Sequence, residues 1–194
     1  MTSPVPSLLV ALVDHAAVVK VNGRANFTTS VVFKRLVGEL RERGFERLVL
    51  DLSECVTMDS TFLGVLAGTA LKLSEPRRNG VEHSQLSLVN PNPRVSDLLD
   101  NLGVAELFCT VRTDVPIVSN AELTPAGLPN PSREELSRAC LEAHQVLMQL
   151  NPENVLRFKD VTQFLAEDLK KVIEQSKKER SGLQPQEAQD HNHQ

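Results

Sequence analysis

The chain has 194 residues, of which 41% are hydrophobic and only 4% aromatic, with no Trp and no Tyr. Its formal net charge of −4 argues against direct nucleic-acid binding, because affinity for phosphate backbones requires an excess of Lys and Arg. The absence of Trp and Tyr argues the same way, because these side chains are the best stacking platforms for the bases of single strands. The three cysteines are far apart and lack zinc-site spacing, which predicts reduced thiols, no bound metal and a cytoplasmic location. The apolar patch at 8–13 is too short to cross a bilayer, so no membrane insertion is expected.

The first part of the chain alternates short apolar runs with amphipathic stretches. This order predicts an α/β fold with one mixed β-sheet and helices packed on one face. Thr28 or Thr29 could cap the first helix, and Gly64 and Gly68 would allow the second helix to approach the sheet closely. Strands are predicted over 7–13, 16–22, 47–52, 85–90 and 106–111, and helices over about 28–43, from 60 to the residues before 76, and over about 93–101.

The chain changes character after residue 112. Residues 1–112 are predicted to form the α/β domain, and the proline-rich stretch 113–131 is predicted to be a linker without helix or strand. Residues 132–178 form a C-terminal α-helical extension of two helices separated by Asn151-Pro152, and residues 179–194 are a polar tail that is expected to be disordered.

The first helix of this extension carries an apolar stripe that includes Cys140, Ala143 and Leu147. Such a stripe has to be buried. It could fold back on the sheet, form a dimer or bind a helix of a partner protein, and the sequence leaves the oligomeric state open.

The most informative stretch places Asp59, Ser60 and Thr61 directly before or at the start of a helix that follows a buried strand. The first turn of a helix has free backbone N–H groups and a partial positive charge, so it favours an added phosphate. A kinase could therefore modify a hydroxyl there without unfolding the domain. The alternative is an ordinary helix N-cap, for which all three residue types are preferred.

The run from Met58 to Leu66, with LVLDLS upstream, resembles the signature of the STAS domain, and more narrowly that of bacterial anti-sigma factor antagonists. The resemblance covers about residues 5–112. It implies that Ser60 is the phosphoacceptor, that Thr61 is a secondary one, and that Asp59 shapes the turn. It also implies partner switching: the unphosphorylated protein binds an anti-sigma factor that is often a serine kinase, phosphorylation abolishes binding, and a phosphatase restores it.

Two positions depart from the family pattern. Phe62 stands where the family has Gly, and its ring could hinder a kinase, form a new apolar contact with a partner, or face the core. Asn26 stands where many members have Asp, in a loop that often contributes to the partner surface. The predicted partner-binding residues are Asn26, Asp59, Ser60, Thr61 and Phe62.

The function implied by the resemblance is regulatory, not enzymatic, and needs no cofactor, since ATP belongs to the kinase. An alternative with the same fold is a STAS-type docking subunit of a membrane transport ATPase, with Phe62 as an apolar anchor. A third is an enzyme that uses Ser60 as a nucleophile. That requires a nearby base, and no His lies close to Ser60 in sequence, although a distant one could approach in space.

Overall fold

The computed structural model describes residues 7–45, 47–74, 86–119 and 122–182. These residues form a mixed β-sheet, helices packed against it, and a C-terminal helical extension, which confirms the predicted fold class. The elements are, in chain order, β1 (Ser7–Val13), β2 (Ala16–Ala25), α1 (Phe27–Glu42), β3 (Arg47–Asp51), β4 (Cys55–Met58), α2 (Ser60–Ser74), β5 (Leu86–Val89), α3 (Pro93–Asn101), β6 (Cys109–Val111), β7 (Thr124–Pro125), α4 (Arg133–Leu150) and α5 (Glu153–Gly182).

The strands follow the order β6-β5-β3-β2-β1-β7 across the sheet. The hairpin β1–β2 and the pair β1–β7 are antiparallel, whereas β2, β3, β5 and β6 run parallel because helices connect them. Strand β4 lies off this path and pairs in parallel with the end of β2, beyond an irregularity at Gly23/Arg24. This pairing fixes the start of α2, because the N–H of Asp59 donates to the carbonyl oxygen of Ala25 at 3.0 Å.

The main core lies between the sheet and the helices α1 and α2. Leu50 and Leu88 from the sheet are fully buried, and the rings of Phe33 and Phe62 meet in this core with their centroids 5.5 Å apart. Ten of the fifteen residues of α2 are buried, since the helix lies between the sheet and α4. The prediction that Gly64 lets α2 approach the sheet was wrong, because Gly64 faces α4.

Several local predictions also differ from the structure. Helix α1 begins at Phe27, and its cap is Asn26 instead of Thr28 or Thr29, since the Asn26 side chain accepts from the N–H of Thr29 at 3.0 Å. The strand predicted over 106–111 begins only at Cys109, after a 3-10 helix at Ala105–Leu107. Strands β4 and β7 were not predicted.

The stretch 113–131, predicted as a linker, is attached to the sheet. Thr124–Pro125 pairs with Val10 and Leu9 of β1 as strand β7. Val118 is buried against Ala11 and Val18, on the side of the sheet away from the main core. The prediction that this stretch contains no strand was therefore wrong, and the chain is held to the sheet until it approaches α4.

The two C-terminal helices form an antiparallel hairpin that packs against α1 and α2. Of the alternatives for the apolar stripe of α4, the structure has the intramolecular one, although α4 packs on helices and not on the sheet. Buried Asn154 ties the turn of the hairpin to α3, because its amide donates to the carbonyl oxygens of Leu102 and Leu147. Helix α5 continues to Gly182, and residues 183–194 of the predicted tail lie outside the described residues.

Candidate functional site

The site begins with the Asp59 carboxylate, which joins the starts of two helices. One carboxylate oxygen accepts from the N–H of Phe62 in the first turn of α2, and the other accepts from the N–H of Phe27 at the start of α1, both at 2.8 Å. A carboxylate is favoured there because the N-termini of both helices carry a partial positive charge. Asp59 therefore fixes the position of α2 relative to α1.

Ser60 is the first residue of α2, as the sequence predicts, and its side chain is half-buried. Its Oγ lies 3.0 Å from Nε2 of His144 on α4. The Nδ1 atom of His144 lies 2.7 Å from the carbonyl oxygen of Cys140. Because a carbonyl only accepts, this network assigns the proton to Nδ1 and makes Nε2 the acceptor for the Ser60 hydroxyl when the ring is neutral.

The predicted site residues are close together but differ in accessibility. Thr61 is buried, and its hydroxyl donates to Sγ of Cys140 at 3.6 Å. Phe62 is 0% exposed and packs in the core, so of the alternatives for this ring the structure has the core-facing one. The prediction of Phe62 as a partner-binding residue was wrong, because its ring is buried in the core and is not accessible to a partner. Asn26 is half-buried, and its side-chain oxygen is used by the cap of α1.

Sequence reasoning missed two residues of the site. His144 was not singled out, although a distant His was allowed to approach Ser60 in space; it is buried on α4 against Ser60, with the ring of Phe158 at its edge, 4.9 Å between centroids. Its spacing from Cys140 and Leu147 on the α4 stripe was the available signal. Phe27 is 45% exposed beside Asp59, and no feature of the sequence marked it.

Charged residues pair across the rim where α4 meets α1. Lys34 pairs with Glu142 at 2.7 Å, and Arg35 pairs with Glu135. The Arg35 guanidinium, together with hydrogen bonds from Ser132, lowers the pKa of Glu135 to about 2. These pairs are partly exposed to solvent, so they orient α4 more than they stabilise its docking.

Two of the three thiols, Cys55 and Cys140, have a raised pKa. Burial raises the pKa of Cys55 to about 11, and burial also raises the pKa of Cys140. Since the thiolate is the reactive species, both thiols should react slowly in the folded chain, whereas the exposed thiol of Cys109 is accessible.

The contact between Ser60 and His144 supplies the pair of groups that a serine nucleophile requires. The hydroxyl, however, lies at the contact between α2 and α4. A Cβ atom on Gly64, one turn along α2, would lie 2.3 Å from the carbonyl oxygen of Ala143. A substrate would have to separate two helices that touch, so the arrangement favours a binding surface over a catalytic cleft.

The STAS domain family model matches residues 8–117, more than half of the chain. The chain belongs to this family. The STAS match ends before α4, so the helical extension that covers Ser60 lies outside it. Among the described residues, no helix combines the length and apolarity needed to cross a membrane. A comparison with curated proteins finds no match.

Solved structures with a similar fold include three described as anti-sigma factor antagonists or cell fate determinants. An anti-sigma factor antagonist from Mycobacterium paratuberculosis shares 23% identity over 59% of this chain and 92% of its own, with a TM-score of 0.49. A putative anti-sigma factor antagonist from Thermotoga maritima shares 22% identity over 55% of this chain and 86% of its own, with a TM-score of 0.46. The phosphorylated form of the Bacillus cell fate determinant SpoIIAA shares 13% identity over 56% of this chain and 93% of its own, with a TM-score of 0.41.

Proposed function

We propose that this STAS protein is a phosphorylation-regulated antagonist of an anti-sigma factor, with Ser60 as its phosphoacceptor. In the unphosphorylated form it binds an anti-sigma factor that is also a serine kinase, and in this way a sigma factor is set free. Phosphorylation of Ser60 abolishes the binding, and a phosphatase restores it. The protein acts in the cytoplasm, holds no cofactor and performs no chemistry itself.

The observation that carries this proposal is the position of the Ser60 hydroxyl in the first turn of α2, directly after Asp59. The N-terminus of a helix favours a phosphate group. At the same place the phosphate adds about −1.5 to −2 charges beside an existing carboxylate. The first turn of α2 can therefore accept the modification while the charge of its surface changes strongly, which is the property a binding switch needs.

The proposed partner surface includes Asn26, Asp59 and Ser60, joined by the exposed ring of Phe27. Phe27 lies beside the Asp59 carboxylate and supplies the apolar contact that the sequence suggested for Phe62. Thr61 is buried by the docked α4, to which its hydroxyl donates at Sγ of Cys140, so it can contact a partner or a kinase only after α4 is displaced.

The first experiment is peptide mass spectrometry of the chain purified from its own host, before and after phosphatase treatment. A phosphate on Ser60 is expected. Full coverage of the Ser60 peptide without phosphate under any growth condition would refute the proposed switch.

The second experiment identifies partners by co-purification with tagged Ser60→Ala and Ser60→Asp chains. An anti-sigma factor or serine kinase should be recovered with Ser60→Ala and lost with Ser60→Asp. Equal recovery of a transport ATPase subunit with both variants would instead support the docking-subunit alternative. Burial of Phe62 removes the apolar anchor on which that alternative relied.

A further inference from the structure

Helix α4 already occupies the surface around Ser60. Besides the hydrogen bond between Ser60 and His144, the helices α2 and α4 are in close contact at Gly64 and Ala143. Any protein that binds over the first turns of α2 must take the place of α4. The helical extension and an external partner therefore need the same surface.

The residues that α4 buries against α1 and α2 are mostly small, which makes it easier for the helix to detach. Its buried residues are Ala139, Ala143, His144 and Leu147, of which only Leu147 is a large apolar side chain, while Val146 and Leu150 pack against the core only partly buried. Small side chains bury little apolar area, so each stabilises docking less than a Leu or Phe would. Interfaces between units of one chain allow relative motion by default unless they are large and hydrophobic.

A phosphate on Ser60 does not fit under the docked helix. The Oγ atom lies 3.0 Å from Nε2 of His144, so in this rotamer of Ser60 the phosphorus and its three further oxygens would overlap with the imidazole ring. Moving the ring aside would break the hydrogen bond between its Nδ1 and the Cys140 carbonyl and would disturb its edge contact with Phe158. The dianion would also be removed from water beside Asp59, and both effects disfavour docking.

We propose that the α4–α5 hairpin is an internal cover for the Ser60 surface, and that the docked hairpin and a phosphate on Ser60 exclude each other. This inference rests on the proposed function for its biological meaning. In the covered state, Ser60 is withheld from kinase and partner alike. Once the hairpin is released and Ser60 is phosphorylated, the hairpin cannot dock again until a phosphatase acts.

The contacts of α4 also describe the kind of partner that this surface fits. Such a partner presents an α-helix with a small residue opposite Gly64, a hydrogen-bonding side chain for Ser60, and acidic residues for Lys34 and Arg35. A helix of this chemistry competes directly with α4.

The native cysteines allow a test on the full chain. Phosphoserine is placed at position 60 during synthesis, and the alkylation rate of each thiol by iodoacetamide is followed by peptide mass spectrometry. Cys140 reports on the docked face of α4, the exposed Cys109 is the internal reference, and Cys55 in the core reports on global unfolding. The matched control is the same chain with unmodified Ser60.

Two variants calibrate the measurement. Ala143→Arg places a long charged side chain at the tightest contact of α4 and should release the hairpin. Gln145→Arg adds the same side chain on the exposed face of the same helix and should leave it docked.

Phosphoserine and Ala143→Arg should each raise the Cys140 rate relative to that of Cys109 by about tenfold or more, since the rate follows the population of the open form. Gln145→Arg should leave the ratio unchanged. A Cys140 rate unaffected by phosphoserine would overturn the inference, and so would a parallel rise at Cys55, which indicates global unfolding.

The outcomes separate this inference from the proposed function. Release of the hairpin by phosphoserine, with no phosphate on Ser60 in the host, supports the cover and refutes the switch in cells. Phosphate on Ser60 in the host, with Cys140 still protected in the phosphoserine chain, supports the switch and refutes the cover.

Discussion

Gly64→Ala tests how closely α4 docks on α2. The new Cβ atom would lie 2.3 Å from the carbonyl oxygen and 2.7 Å from the Cβ atom of Ala143. Ordinary contacts begin at 3.4 Å, so the two helices have to separate by about 1 Å. The obstacle is largely backbone, which cannot move aside as the end of a flexible side chain can.

The magnitude follows from two opposing terms. Overpacking of a tight contact costs about 1–3 kcal/mol, and this term exists only while the hairpin is docked. Replacing Gly by Ala inside a helix gains up to about 1 kcal/mol, and this gain persists in α2 whether or not the hairpin is docked. The substitution should therefore raise the open population by about 5–150-fold, while the STAS domain keeps or gains stability.

Gly68→Ala is the matched control, one turn further along α2. Its Cβ atom would lie 3.6 Å from Val146, an ordinary contact, so only the gain in helix propensity applies. Hydrogen exchange of the α4 amides measures docking, and the urea midpoint measures global stability. Gly64→Ala should speed exchange in α4, whereas Gly68→Ala should not. Equal α4 protection in the two variants would refute the tight contact.

Three further predictions concern the site and its cover. Asp59→Asn leaves one side-chain oxygen for the two backbone N–H groups of Phe27 and Phe62. It should therefore lower the free energy of unfolding, measured by urea titration, by about 1–2 kcal/mol. An unchanged urea midpoint would contradict the role of Asp59 as a bridge between α1 and α2. Arg35, together with hydrogen bonds from Ser132, lowers the pKa of Glu135 from its ordinary value of 4.5 to about 2, so the small contribution of the Arg35–Glu135 pair to docking is present above about pH 4.5 and is lost as the pH falls towards 2. Glu135→Gln should remove this part of the pH dependence of α4 hydrogen exchange, and an identical pH profile would argue against it. Thr61→Cys should form a disulfide with Cys140, because the Sγ atom of Cys140 lies 3.6 Å from the Thr61 hydroxyl. The disulfide should block phosphorylation of Ser60 by a kinase until a reductant is added. Phosphorylation of the oxidised chain would show that Ser60 is accessible without release of the hairpin.

The sequence predicts those elements whose pattern is long and regular. Helix α3 has the predicted bounds, and the start of α2 at Ser60 was recognised because a buried strand and a hydroxyl-rich cap precede it. Strand β4 was missed because its four residues have no clear alternation, and it is fixed by pairing with β2. Strand β7 was missed because proline argues against a strand, yet Pro125 lies at the sheet edge, where proline is tolerated.

The site could be predicted only in part, because half of it comes from a distant segment. Asp59, Ser60 and Thr61 are neighbours in the chain, so a local motif identifies them. His144 and Cys140 reach Ser60 and Thr61 only through the docking of α4, which depends on tertiary packing. The α4 stripe predicts that this helix is buried somewhere, but periodicity does not specify against which surface.

The attachment of the chain at β7 has a consequence for affinity. Since Thr124–Pro125 pairs with β1 and the N–H of Ala126 donates to the carbonyl oxygen of Leu8, a released hairpin remains tethered by residues 127–132, which span at most about 22 Å. Short tethers of this kind correspond to effective concentrations in the millimolar range. A partner that arrives at micromolar concentration competes with a segment that never diffuses away. If 99% of the molecules are covered, the apparent Kd of the partner is about 100-fold weaker than its intrinsic Kd. The length of this tether, as much as the contacts of α4, thus sets the threshold at which a partner begins to bind.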